Sequence, residues 1–371
     1  MVHVPKLSRR ARWAVPAGAL VITGGVMAGA LISVAQAAPG LPAKTPAQLL
    51  AEVADSTTPP LTGTVVETAS LGLPALPATG NPTSLSSLLT GSHTVRVWYA
   101  SSAHFRLAVP ESLSESDVIR DGSTAWLWQS TLNQVTRYTL PAHPAKDQTV
   151  PRQPLTPQQA AQQVLAAVGP TTTVSVASNV TVAGQPAYAL VLAPKDARSL
   201  VGQVQIAIDG RNGVPLRVQV FARGASSPAF QVGYTAIQFV APAPADLSFT
   251  PPPGSKVTRE NLSGDGAKGQ ATPGFSTIGS SWLTVLKLPS SMLTSGASTP
   301  GASTPAGGSA DDSAAVLRAL LASASPVHGA WGSGRLLRTS LVSVLMTDQG
   351  TRFAGAVQPS VLYAAAAAHP H

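Results

Sequence analysis

Any side-chain metal centre in this 371-residue chain would have to be built chiefly from seven histidines and sixteen acidic residues, because there is no cysteine. That excludes a thiolate ligand, a thiol nucleophile, a disulfide scaffold and a lipidated N-terminal Cys. The histidines (His3, His93, His104, His143, His328, His369 and His371) show no H-E-x-x-H spacing, and the closing His-Pro-His reads as tail. No G-x-S-x-G elbow occurs, no serine stands three residues before a lysine, and there is no G-x-x-x-x-G-K-[ST] phosphate loop. Glu111, Glu115 and Asp117 cluster in what reads as a polar loop, a solvated acidic patch. Asp209 and Asp348 occupy turns, where a side-chain bond to the backbone accounts for them. Arg106 and Arg217 each sit between apolar neighbours on an expected strand. Two roles suit them, a cross-strand ion pair or contact with a lipid headgroup at a cavity rim. The sequence thus nominates no catalytic residue, no metal and no cofactor.

Charge is distributed unevenly. Lys6, Arg9, Arg10 and Arg12 precede everything else, and beyond residue 38 the remaining 20 basic residues face 16 acidic ones. No basic run tracks a phosphate backbone, which argues against nucleic acid as a partner. Residues 13–43 carry no charge, and Val15–Val34 is an apolar run ending at Ala35-Gln36-Ala37, the small-x-small pattern of a signal peptidase site. Its length also reaches the roughly 20 residues that span a bilayer. Cleavage between Ala37 and Ala38 and retention as an anchor both fit. Either outcome puts the rest of the chain outside the cytoplasmic membrane, secreted or held on its outer face.

The elements that would position any site are mostly strands. Period-two runs at Thr62–Thr68, Thr94–Tyr99, Phe105–Val109, Ala125–Gln129, Val135–Leu140, Val174–Val182, Ala187–Leu192, Val204–Asp209, Leu216–Phe221 and Phe230–Phe239 predict ten strands. Turn signals at Asp121-Gly122, Ala183-Gly184, Asp209–Gly213 and Gly224–Ser226 separate several of them. Two capped helices complete the set. Thr45-Pro46-Ala47-Gln48 and Thr156-Pro157-Gln158-Gln159 both open with a threonine cap, a proline in the first turn and a glutamine at the reciprocal position. Short connections and few helices predict an α+β fold, one curved antiparallel sheet or half-barrel capped by short helices.

Many of these strands are apolar on both faces, whereas a sheet with one wet face alternates. Two readings follow: a second packed layer, or a curved sheet enclosing an apolar cavity with the helices as partial lid. The candidate lining is Val97, Phe105, Leu107, Trp126, Trp128, Tyr138, Tyr188, Leu190, Leu192, Ile206, Ile208, Val218 and Phe239. Residues 70–92, leucine-rich and uncharged, suit either a lid or a packed loop.

Residues 1–38 form the signal segment, 39–260 the sheet domain and 261–272 a linker. Residues 273–371 read as a small α+β domain with a low-complexity insert at 290–313. That last part holds an apolar stretch Trp282–Leu288, a helix near Asp312–Ser323, a hairpin Leu336–Met346/Thr351–Val357 turning at Asp348-Gln349-Gly350, and an Ala-rich final helix.

Several segments, in order and spacing, resemble the LolA-like superfamily of outer-membrane lipoprotein carriers, which includes the N-terminal domain of RseB. They are Ile206-Ala207-Ile208-Asp209 with Gly213-Val214-Pro215-Leu216-Arg217-Val218, Val97-Trp98-Tyr99 with Phe105-Arg106-Leu107, and Asp121-Gly122 with Trp126-Leu127-Trp128. Val182–Tyr188 and Phe249-Thr250-Pro251-Pro252 also fit. The resemblance implies a half-open barrel that holds acyl chains or lipoprotein lipid moieties without catalysis. It equally implies, as an alternative, an envelope signalling module that contacts a membrane-bound anti-sigma factor. A secreted hydrolase is a remote third reading for which no serine stands out. The chain departs from a simple carrier in its anchor-length apolar run and its extra C-terminal segment.

Overall fold

The computed structural model describes residues 40–73, 90–110, 114–140, 156–159, 161, 169–261, 276–288, 319–320 and 322–368. The signal segment, most of 70–92, Glu111, the linker after Asn261, the insert and most of the second and Asp312–Ser323 helices lie outside them. Among the described residues no helix is long and apolar enough to cross a membrane.

Helix α1 (Pro46–Asp55) starts where its cap dictates: Gln48 N donates to Thr45 Oγ1 and Thr45 N donates back to Gln48 Oε1. Leu49 and Val53, one turn apart, are both buried in the main core. The same reciprocal pair forms between Thr156 and Gln159, and Ala161, five residues on, is fully buried in that core.

Twelve strands follow: β1 (Leu61–Ser70), β2 (Thr90–Ser101), β3 (His104–Pro110), β4 (Glu115–Asp121), β5 (Thr124–Gln129), β6 (Gln134–Thr139), β7 (Thr172–Val182), β8 (Gln185–Pro194), β9 (Val201–Asp209), β10 (Pro215–Ala222), β11 (Pro228–Gln238) and β12 (Lys256–Asn261). They make one sheet in the order β12-β6-β5-β4-β3-β2-β1-β11-β10-β9-β8-β7. It is a large, curved, open sheet, and all ten expected strands are in it. The Ala183-Gly184 turn has positive φ at both residues (50° and 78°), the combination a two-residue hairpin needs.

Two strands depart from expectation. The acidic segment is β4, an interior strand and no solvated loop: Asp117 is only 1% exposed. Its polar letters mask the alternation, because Asp117 and Ile119 point to one face and are covered there, with Arg106 supplying the counter-charge. β12 pairs with β6 in parallel, so the sheet is not wholly antiparallel. The chain reaches that edge by a strap, residues 239–255, that includes the short helix α2 (Pro244–Leu247) packed on β3 and β4.

A second, six-stranded sheet follows in the order β13-β14-β18-β17-β16-β15. Its strands are β13 (Ser276–Ile278), β14 (Val285–Leu288), β15 (Ser325–Gly329), β16 (Gly332–Arg338), β17 (Ser343–Thr347) and β18 (Arg352–Gly355), and helix α3 (Pro359–Ala368) closes it. The turn at Asp348–Gly350 joins β17 to β18, while the expected long arm Leu336–Met346 divides in two. Thr339 forces that break by donating to, and accepting from, Val342. Leu345, Phe353 and Leu362 form this sheet's core. It meets the large sheet where Leu200 N donates to Ala356 O and Trp282 Nε1 donates to Thr172 Oγ1.

Candidate functional site: the two faces of the large sheet

Register assigns each side chain to a face, since directly paired residues share one. Gly63, Val97, Leu107, Val118, Leu127 and Thr136 are successive partners from β1 to β6. In the other direction Val232, Val218, Ile206 and Leu190 continue the same face. Pro42 and Lys44, which lead into α1, contact Tyr188 on this face, and Leu49 and Val53 of α1 belong to the core that it lines. Of the thirteen candidate lining residues, Val97, Phe105, Leu107, Tyr138, Tyr188, Leu190, Leu192, Ile206, Ile208 and Val218 stand on it. Phe239, just past β11, packs into the same core. Trp126 and Trp128 do not. They pair with Ile119 and Asp117 and so stand on the opposite face, one residue out of step with the rest.

Burial divides the helix face further. Over β8 and β9, Tyr188, Leu190, Leu192, Ile206 and Ile208 are sealed, and β8 is buried on its other face too, through Ala189 and Val191. Over β3–β6 the same face carries Phe105, Leu107, Val118, Leu127 and Tyr138, all only half-buried. Sequence reasoning missed Val118, hidden in the unrecognised β4, and Tyr234, whose ring lies across Gly63. A Cβ on Gly63 would stand 2.9 Å from Tyr234 Cδ1. Burial pushes the Tyr234 phenol up, and it pushes up Tyr138 too, helped by the charge of its strand partner Glu260.

At the β7 end lies an open hollow of about 300 Å³ between Leu41–Lys44 and Val176–Asn179, floored by Tyr188. Tyr188 Oη donates to Pro42 O at 2.7 Å, and Lys44 Nζ lies 4.9 Å from the ring centroid while pairing with Glu52 at 2.6 Å. The bulge between Ala177 and Val180 opens this edge.

The opposite face is polar and aromatic. Arg106 reaches two carboxylates of β4: Asp117, in close contact, and Glu115 at 3.2 Å. Its guanidinium carbon also lies 5.4 Å from the Trp98 ring centroid. Asp117's carboxyl is pushed up to about 7, first by burial and then by Glu115, against the pull of Arg106. The strap covers this group, with Phe249 tilted on Trp126 at 5.6 Å. Arg106 therefore makes the expected cross-strand ion pair. Arg217 makes none among the described residues. It lies over Gly233, half-buried with Nε unpartnered, and burial lowers its affinity for a proton. Both arginines leave the sheet away from the apolar helix face, so neither lines a headgroup position at its rim. Among the described residues no group of three His, Asp or Glu side chains could hold a metal ion.

No family model and no curated protein matches the chain. Solved structures are similar to it in strand arrangement. Pseudomonas aeruginosa MucB, in its MucA/MucB complex, is 15% identical over 86% of this chain and 96% of that one, at a TM-score of 0.42. A conserved protein from Thermus thermophilus is 14% identical over 58% and 98%, at 0.33. The LolA superfamily protein NE2245 from Nitrosomonas europaea is 10% identical over 56% and 99%, at 0.25. The likeness is one of fold alone.

Proposed function

We propose that the chain is an extracytoplasmic, non-catalytic binder of acyl chains, presented as free lipid or as an acylated lipoprotein, at the outer face of the cytoplasmic membrane. The observation that supports this is the half-buried apolar wall of Phe105, Leu107, Val118, Leu127 and Tyr138, continuous with a sealed core on the same face. Hydrocarbon laid on that wall leaves water on both sides of the contact. At about 0.8 kcal/mol per buried CH₂, a sixteen-carbon chain would gain roughly 12 kcal/mol gross if fully buried; on an open wall it gains only the share it buries, from which association and ordering subtract several. The sealed half supplies the rigidity that keeps such a wall open and ready. The resemblance read from the sequence points to the same ligand class.

Native mass spectrometry of the purified full chain should show co-purified acyl species, and delipidated protein should take up a fluorescent fatty acid saturably. Leu107→Lys should weaken that uptake about tenfold or more, while Trp128→Ala, on the other face, should leave it unchanged. Absence of both acyl adducts and uptake would overturn the assignment. Capture of a membrane-bound partner by the same lipid-free protein would then move it to the signalling alternative.

A further inference from the structure

We propose that the β6–β12 edge of the large sheet binds a phosphate group between Arg137 and Arg259, on the face away from the acyl wall. The two arginines are direct partners across a parallel strand pair, so both side chains leave the same face side by side. Like charges directly opposed on a sheet repel, and a shared counter-anion turns that repulsion into attraction. Among the described residues neither arginine has an ion pair to supply one, and β5 and β6 contain no carboxylate. Glu260, the acidic residue of β12, alternates to the other face beside Tyr138.

Arg137 is also held in place. Its guanidinium carbon lies 5.3 Å from the Trp126 ring centroid, and that ring is pinned from its other contact by Phe249 of the strap. The Arg137 Nε is buried without a hydrogen-bond partner. Arg259, by contrast, is exposed and free to close on a guest. In the next row of the same face Thr139 pairs with Asn261, adding a hydroxyl and an amide beside the two guanidinium forks. This donor set fits phosphate better than carboxylate. One fork saturates both oxygens of a carboxylate, whereas the three or four oxygens of a phosphate serve two forks. The site is independent of the acyl wall, since the whole thickness of the sheet separates them.

Titration calorimetry of the purified full chain in non-ionic detergent tests this with two probes. One is inorganic phosphate and the other is glycerophosphoglycerol, the deacylated headgroup of an anionic phospholipid. Saturable binding of either supports the site, and the tighter probe names its source, free phosphate or headgroup. Arg259→Gln, an exposed substitution that leaves the core untouched, should weaken binding about tenfold, and Arg137→Lys, which keeps charge but loses the fork, should do so as well. The winning anion should raise the thermal midpoint of the wild-type chain and not that of Arg259→Gln. In anion-free buffer Arg259→Gln should melt no lower than wild type, because a repulsion has been removed. The proposal is overturned if neither probe saturates below about 10 mM, or if wild type and Arg259→Gln respond alike.

Discussion

The two halves of the large sheet solve opposite problems with the same alternating strands. In β8–β11 most of the helix face is closed by the buried side chains of the core that also holds Leu49 and Val53 of α1, and β8 is buried on both sides. In β3–β6 the other face buries Ala108, Asp117, Ile119 and Val135, with the strap packed on β3 and β4, and the helix face keeps a half-buried apolar surface. Apolar-on-both-faces sequence therefore has two outcomes in one sheet: a double-sided core at one end, and at the other a half-buried apolar wall. What differs is the cover, which the strands themselves do not encode.

That contrast can be broken by equal truncations in each half. Ile206→Ala in the sealed half should cost about 3 kcal/mol, read as a lowered denaturation midpoint, whereas Leu127→Ala in the open half should cost about 1 kcal/mol or less. Equal losses would contradict a division of the sheet into core and wall. Beneath the strap, Arg106→Ala removes the counter-charge of a buried carboxyl and should cost up to about 3 kcal/mol at neutral pH. The loss should shrink in acid, where a neutral Asp117 needs no partner.

Asp117 also predicts the sign of a pH dependence. Its folded pKa of about 7 lies above the ordinary 3.8, so between those values the folded state binds the extra proton. Stability should fall as pH rises from about 4 to about 7 and level off above, and Asp117→Asn should flatten that interval. A slope unchanged in Asp117→Asn would assign it elsewhere. The smallest expected effect is a gain. Ala183 holds φ at 50° in the β7–β8 turn, and Ala183→Asn should add about 0.5 kcal/mol, visible as a raised melting temperature.

Much of this organisation is legible in the letters. Both threonine caps, ten strands and the Ala183-Gly184 and Asp348–Gly350 turns are where their local chemistry puts them, because capping and turn formation are decided within a few residues. β4 was not legible: Glu115 and Asp117 look solvated until Arg106, nine and eleven positions away, is brought opposite them. β12 was hidden for a similar reason, as a parallel pairing depends on a strap that spans the sheet. Within the apolar set, period two shows that Trp126 and Trp128 share a face with each other. Only the cross-strand register shows that it is the face opposite Leu107 and Val97. The likeness of Arg106 and Arg217 in sequence conceals different surroundings, two carboxylates for one and a glycine for the other.

The most direct test of the central claim is photo-crosslinking with a diazirine-bearing fatty acid, followed by peptide mapping of the labelled full chain. Adducts should concentrate on Phe105, Leu107, Val118, Leu127 and Tyr138 and be competed away by unlabelled fatty acid. Adducts on Trp98, Trp128 and Val257, or labelling that unlabelled fatty acid does not reduce, would contradict the claim.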